Sequence, residues 1–387
     1  MALSQKLGEP MSSTEVLHRL VSFPTYQLDG MRNCAKFLSD QLIRLGFNVT
    51  VDKLDNVLGT REFSDGDSAF LINSHFDTVA PSAKWTRAPL SVMAEGDRLY
   101  GLGTSDSKSG IAGVLHALEA LGRPRFRRLE VLFSNYEDNA ATIDGTRWLG
   151  TPYFLSHSKL EARTGINVEG TVQGDRFSLS LGCGGRVGFQ VTTMGKEAHT
   201  SEPSWRTLGH NAIYDMMKVI EALRRMPPAK MTVDNHDAWT ELNVSMIEGG
   251  TAINVVPGEC KIICERRVLP NENEVEVKND VANALRTLRG IEFNVEYYVP
   301  QKPYWVERQH EAVTLAVAGV EQTLGYTPTF RVDSGRTDSA YLDELAGVKT
   351  VILGPGESLL EHKPDEYVSA KRIEEFSRIL RCMLTKP

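Results

Sequence analysis

The sequence predicts an α/β protein with a second, α+β domain inserted into it. Three observations carry that expectation. Short buried-type apolar runs alternate with helical spacings through the first half of the chain. From about Gly185 the order changes to strand–helix–strand–strand–helix–strand, the pattern of a split βαβ unit. The earlier alternation then resumes near the C-terminus. A chain of 387 residues is also long for one core, so two domains are expected.

In order, Met31–Leu45 has helical spacing, with Cys34, Phe37, Leu38, Leu42 and Leu45 on one face. Phe47–Val51 alternates as a strand does. Ala69–Asn73, Leu129–Phe133 and Gly165–Val168 read as buried strands, and Ser109–Leu121 as a small-residue helix. In the inserted part, Val187–Thr193 reads as a strand and Leu208–Met226 as a helix. Leu242–Ile247 and Asn254–Arg267 read as antiparallel strands around Glu248-Gly249-Gly250-Thr251. Val275–Leu288 reads as a helix and Glu292–Val299 as a closing strand. Glu311–Leu324 and Lys371–Leu384 then read as helices flanking a buried strand, Lys349–Leu353. The expected bounds are residues 1–184 and 298–387 for a discontinuous main domain and 185–297 for the insertion.

Composition excludes several classes of function. The apolar share of 41% and charged share of 24% suit a soluble globular protein. Net charge is −7 and no dense basic run occurs, which argues against nucleic acid and anionic membranes as partners. The five cysteines are odd in number and scattered, so no disulfide framework is expected. Cys260 and Cys264 fall on one face of a strand and read as core residues. Met1–Pro10 has no apolar signal core, and no segment is long enough to span a bilayer, which points to the cytoplasm.

Polar clusters sit where strands end and helices begin. They are His75-Phe76-Asp77 after an apolar run, Asp106 in the Gly101–Gly110 stretch, Glu137-Asp138 after Leu129–Phe133, Glu169 after Gly165–Val168, and Glu361-His362 after Lys349–Leu353. Taken alone, His75-Phe76-Asp77 reads first as a polar strand end and Asp106 as a helix cap, with Ser107 or Ser109 helping to start the helix. The glycine-rich stretch around Asp106 lacks phosphate-loop spacing. Together the clusters converge on one crevice of an α/β sheet. Two histidines and three carboxylates suit two divalent ions with one carboxylate bridging, and nitrogen and oxygen donors without thiolate suit zinc, cobalt or manganese. Two such ions about 3.5–4 Å apart polarise a carbonyl and supply hydroxide near neutral pH.

The same clusters, with Gly195-Lys196-Glu197-Ala198-His199-Thr200-Ser201-Glu202-Pro203, occur in the order seen in the M20 metallopeptidase family. The resemblance runs from about residue 12 to the end. Trp85-Thr86, Pro89-Leu90 and Leu99–Thr104 are similar to its acetylornithine and acetylcitrulline deacetylase branch. It implies a mixed-sheet, zinc-peptidase-type catalytic domain with an inserted ferredoxin-like lid and dimerisation domain. It implies that His75 and Glu169 hold one metal ion, Asp138 and His362 the other, and that Asp106 bridges them. Zinc is the first choice of ion, with cobalt or manganese next. Glu137 is implied as general base, Asp77 as the buttress of His75, and His199 as the group that steadies the oxyanion. Asn254, Arg267, Gly335 and Thr337 are implied as substrate contacts. The implied reaction is hydrolysis of the amide of an N-acyl-L-amino acid by a bridging hydroxide, in a homodimer joined through the lid domain. The alternatives are a dipeptidase, carboxypeptidase or desuccinylase with the same machinery, and a non-catalytic amino-acid-binding protein. The chain departs from the usual pattern at Tyr136-Glu137-Asp138, at Ser107-Lys108-Ser109, at Gly170 and at Arg336, which leaves the substrate open.

Overall fold

A computed structural model describes residues 10–64, 66–201 and 208–386. The N-terminal stretch ahead of Pro10 and the end of the His199 motif, Glu202-Pro203, lie outside the described residues. The helices used below are α1 (Ser13–Val21), α2 (Leu28–Arg44), α3 (Lys108–Glu119), α4 (Gly150–His157), α5 (Ala212–Arg224), α6 (Glu274–Arg286), α7 (Glu311–Leu324), α8 (Asp338–Ala346) and α9 (Ala370–Leu384). The strands are β1 (Asn48–Val51), β2 (Val57–Glu62), β3 (Ala69–His75), β4 (Arg128–Ser134), β5 (Thr164–Asn167), β6 (Val172–Gln173), β7 (Arg176–Cys183), β8 (Gly185–Met194), β9 (Leu242–Gly249), β10 (Glu259–Val268), β11 (Glu292–Tyr297) and β12 (Lys349–Ile352). Among the described residues no helix is long and apolar enough to cross a membrane.

The chain divides into two compact units. One comprises Met1–Leu181, Val306–Phe330 and Thr337–Pro387, and the other Gly182–Trp305 with Arg331–Arg336. In the first unit the main sheet runs β1-β2-β4-β3-β5-β12-β7-β6. Its centre is parallel: β3 pairs in parallel with β4 and β5, and β5 with β12. The flanking pairs β1–β2, β2–β4 and β12–β7 are antiparallel. A strand covered on both faces needs a continuous apolar run, and every residue of β3 is buried. Helix α9 lays Ile373, Phe376, Ile379 and Met383 into the core at helical spacing. Helix α1 starts on a capping box in which the Ser12 side chain and Glu15 satisfy each other's backbone donors. Where the chain leaves this unit and re-enters it, the Val306 amide donates to the Leu181 carbonyl at 2.8 Å.

The parallel centre aims four strand ends the same way. His75 ends β3 opposite Ser134 at the end of β4, and Asn73 stands opposite Asn167 at the end of β5. The loops after these ends carry the polar clusters. Two glycines let them close up. A Cβ on Gly150, the first residue of α4, would lie 1.6 Å from the Asn135 carbonyl oxygen, and one on Gly354 would lie 2.4 Å from that of Glu169.

The second unit is a four-stranded antiparallel sheet of order β9-β10-β8-β11. Its core includes Val187, Phe189 and Val191 of β8, Met216, Val219 and Leu223 of α5, and Val277, Val281 and Leu285 of α6. Cys260 and Cys264 are buried in the same cluster, and all five cysteines are free. Three expected bounds shift. Helix α5 starts at Ala212 rather than Leu208, because the Asn211 side chain caps Ile213 and Tyr214 while His210 pairs with Lys196 in a bridge. Strand β10 starts at Glu259 rather than Asn254, since Pro257 cannot donate to a ladder. Helix α2 gains a turn at its start, Leu28.

Candidate functional site

The loops at the parallel strand ends gather the acidic and imidazole side chains of the first unit. His75, Asp106 and Glu169 each offer one donor atom within 4.8 Å of the others, and Asp106, Asp138 and His362 form a second such group. Asp106 belongs to both. One of its oxygens lies 2.9 Å from His75 Nε2, the other 3.2 Å from His362 Nε2. His362 Nε2 also lies 3.0 Å from Asp138 Oδ1. The Asn167 side-chain amide donates to Glu169 at 3.0 Å. His362 and Tyr136, which precedes Glu137, both adopt positive φ, near 58°. Left-handed backbone in non-glycine residues is uncommon and tends to occur at functional sites.

Electrostatics ask for cations in this cluster. Burial pushes Glu169 up to about 8, aided by the charges of Asp106 and Asp338. Burial, with the like charges of Glu169, Asp138 and Asp338, holds Glu137 well above the usual carboxylate range, against the pull of His75. Asp138 is raised too, chiefly by burial. Hydrogen bonds donated to the Asp106 and Asp138 carboxylates draw His362 up to about 11. Burial disfavours a charged His75, yet the Asp106 carboxylate overrides it and holds the ring well above its ordinary value. Burial would raise Asp106, but the charge of His75 and the hydrogen bond from His362 hold it low. Protonated imidazoles thus supply the positive charge that divalent ions would supply in their place. Asp138 Oδ2 adds a second sign, being buried with no hydrogen-bond partner. An oxygen with unused lone pairs beside imidazole nitrogen fits a metal.

Asp77 serves more than the ring its position suggests. Its carboxylate lies 3.5 Å from His75 Nδ1, while its own backbone carbonyl lies nearer that nitrogen, at 3.2 Å. The carboxylate also accepts from the Glu137 amide at 3.0 Å, the Asn139 amide at 3.1 Å and the Asn139 side chain at 2.8 Å. It therefore fixes the turn that carries Glu137 and Asp138. Ser107 precedes α3 without capping it; its hydroxyl donates to the His75 carbonyl at 2.7 Å and meets Ser74 Oγ at 2.9 Å. Ser109 Oγ is buried without a partner.

Several residues around the cluster were not singled out from sequence. Asp338, at the start of α8, is buried and accepts from Ser134 Oγ at 2.5 Å and Thr151 Oγ1 at 2.7 Å. Glu366 accepts from the Gly103 and Ser105 amides at 2.7 and 2.9 Å, which shapes the loop before Asp106. Lys108 is fully buried and donates to the Phe23 carbonyl at 3.2 Å. A threonine-aspartate pair at a helix start was the available signal for Asp338.

The remaining expected contacts divide between the units. Thr337 caps α8 by accepting from the Ser339 amide at 3.3 Å. His199, Asn254, Arg267 and Gly335 belong to the second unit. There, Asn254 Nδ2 lies 3.4 Å from His199 Nε2, and Arg267 pairs with Glu265 at 2.9 Å. The Gly335 carbonyl accepts from the Gly184 amide at 2.7 Å.

A family model described as peptidase family M20/M25/M40 matches residues 71–386. The chain belongs to this family. Its M20 relatives include a succinyl-diaminopimelate desuccinylase of Wolinella succinogenes, 26% identical over 95% of this chain and 98% of that protein. An acetylornithine deacetylase of Vibrio vulnificus is 27% identical over 90% of each chain. Among solved structures, an M20 family metallo-carboxypeptidase from Sulfolobus solfataricus superposes with a TM-score of 0.77 at 17% identity, covering 97% of this chain and 98% of the other. The aminopeptidase PepT from Bacillus cereus superposes at 0.73 with 19% identity, covering 98% and 99%. These likenesses establish the α/β fold with its mixed sheet and make the M20 chain a metal-dependent hydrolase.

Proposed function

We propose that this M20 hydrolase cleaves the amide of an N-acyl-L-amino acid, as its acetylornithine deacetylase relatives are named for doing. The observation that carries the reading is Asp106 reaching both His75 and His362 with its two oxygens, with Glu169 completing one donor group and Asp138 the other. His75, Asp106 and Glu169 would hold one divalent ion and Asp106, Asp138 and His362 a second, with zinc the first choice for this nitrogen and oxygen set. Such ions, when bound, polarise an amide carbonyl and lower the pKa of water toward neutrality.

The chain's own residues do the rest. Glu137 takes the proton of the attacking water and delivers it to the leaving nitrogen. Burial favours the protonated form of this carboxyl, the form that returns the proton to the nitrogen. Asp77 keeps Glu137 in place through the backbone. His199 donates to the oxyanion of the tetrahedral intermediate, a contribution of about 3 kcal/mol for comparable donors. Asn254, Arg267, Gly335 and Thr337 contact substrate, Arg267 through the substrate carboxylate. The second unit serves as lid and as dimer contact. Its edge strand β9 leaves Met246 and Ile247 63% and 61% exposed, which supports edge-to-edge pairing with a second copy. The cytoplasm is the proposed location, supported by the five free cysteines.

The test combines a substrate panel with one variant. Acetyl, succinyl and formyl derivatives of ornithine, citrulline and other amino acids, with dipeptides, are offered to protein loaded with zinc, cobalt or manganese. Glu137→Gln should abolish turnover while bound metal stays at the wild-type level. Turnover that survives the substitution overturns the base assignment, and metal-loaded protein that cleaves none of the amides overturns the proposed reaction. Sedimentation showing only monomer at micromolar concentration removes the dimer.

A further inference from the structure

We infer that Ser201 is a positioning residue that locks His199 as the neutral Nε2–H tautomer and so makes it a ready hydrogen-bond donor. The argument turns on one obligate donor. The Ser201 backbone amide lies 3.2 Å from His199 Nδ1, and its hydroxyl lies 2.7 Å from the same nitrogen. A backbone N–H can only donate, so Nδ1 must accept. An accepting Nδ1 carries no proton, and the ring's single proton therefore sits on Nε2. The hydroxyl then donates as well, and the two contacts hold the ring plane.

The backbone around His199 keeps this arrangement in place. Thr200 donates to the Asn254 carbonyl at 3.0 Å, Val256 donates to the Ala198 carbonyl at 2.8 Å, and His199 pairs with Val255 in an antiparallel bridge. The pairing sets the Asn254 side chain beside Nε2, at 3.4 Å. The atom of Asn254 that stands there is Nδ2, and two donors cannot bond each other, so an Nε2–H tautomer calls for the flipped Asn254 amide, with its oxygen toward the ring. His199 and Asn254 are both exposed. With the amide flipped, Nε2–H meets an exposed side-chain oxygen that a substrate oxygen can replace. The donor does not depend on the ring gaining a second proton.

The consequence for turnover rests on the oxyanion role proposed above for His199; the tautomer itself does not. The experiment uses the full, metal-loaded chain with 15N-labelled histidine. Its His199 signals are identified by their loss in His199→Gln. The wild type at pH 8 should give the pattern of a protonated Nε2 and a bare Nδ1. Ser201→Ala removes the shorter of the two contacts and keeps the backbone amide, so the Nε2–H form should remain the major one while a measurable share of the Nδ1–H form appears beside it. With the best substrate of the panel, kcat should fall about 2- to 10-fold, the range of one net hydrogen bond, with KM unchanged. Ser201→Thr, which keeps the hydroxyl, should restore both. A wild-type ring protonated at Nδ1, or on both nitrogens, overturns the inference, as does an S201A protein with unchanged tautomer and kcat. A shifted tautomer with unchanged kcat overturns its link to turnover. If the panel gives no turnover, the proposed function fails while the spectrum still decides the tautomer.

Discussion

Replacing Asp77 with Asn separates two roles that a carboxylate beside a metal-site histidine can play. If Asp77 served only to orient His75, Asp77→Asn would weaken metal binding and leave the metal-free protein as stable as before. The structure predicts otherwise. The fully buried carboxylate accepts from two backbone amides, those of Glu137 and Asn139, and from the Asn139 side chain. Asparagine has the same shape but must point its NH2 at one side of that set. Facing Glu137, it orphans one buried donor; facing Asn139, it orphans two. The cheaper orientation leaves one buried N–H unsatisfied, at about 1–3 kcal/mol, and turns the remaining charge-assisted bonds into weaker neutral ones. Metal-free D77N should therefore lose about 3 kcal/mol of stability in denaturant unfolding, relative to metal-free wild type. Because the released turn carries Glu137 and Asp138, metal affinity should also fall about 10- to 100-fold, read by competition with a chromophoric chelator. A D77N protein with normal metal-free stability and weakened metal binding would refute the reasoning and restore the simpler role.

Three further outcomes follow from particular contacts. Asp338→Asn can keep its bonds to Ser134 and Thr151, because both reach the same oxygen, so stability should change little while the lost charge lowers metal affinity about tenfold, measured by calorimetry. Gly150→Ala forces a Cβ against the Asn135 carbonyl oxygen and should cost about 3 kcal/mol or more in denaturant unfolding; Gly122→Ala, whose Cβ would meet only a Thr385 methyl at 3.5 Å, should be nearly silent. Burial raises Glu366 from 4.5 to about 7, against hydrogen bonds from Gly103 and Ser105 that lower it. The folded state thus holds this proton more tightly, so the group's contribution is full below pH 4.5 and is lost as pH rises through 7. Metal-free wild type should lose about 3 kcal/mol relative to Glu366→Gln between pH 4.5 and 8, and parallel stability curves would contradict this.

The fold class was legible because its central strands announce themselves. The run Ala69–Asn73 has no polar interruption, as a strand covered on both faces requires, and the structure extends it to His75. Strand β2, Val57–Glu62, was missed because only its first half is buried and its second half reads Thr-Arg-Glu. Helix α8 was missed because nine residues show little periodicity, and only Thr337 and Gly347 mark its ends. Ordered motifs made the family visible. Contacts between distant segments stayed hidden. Asp338 meets Ser134 across 204 residues, and Asp77 meets the Glu137 amide only once β3 and β4 lie in register. Spacing within a motif carries no trace of either. The His75-Phe76-Asp77 pattern suggested a carboxylate serving its neighbour, and it lies 3.5 Å from that ring; the turn that the same carboxylate holds left no mark on the motif.

The hydrogen bond between Val306 and Leu181 bears on how such a chain could have been assembled. The two points where the first unit is interrupted are already strand neighbours, and on the other side Gly182 and Cys183 pair with Trp305 and Tyr304. The segment between them behaves as a cassette with adjacent ends. Removing it would require the parent to bridge only the width between two neighbouring strands, about 5 Å. Acquiring or exchanging it would disturb the parent's sheet equally little. The six residues Arg331–Arg336 are the exception, a second segment grouped with the cassette. The first three of them end a strand, Thr329–Asp333, that pairs with β7 in the main sheet, so a deletion at the splice can spare that strand.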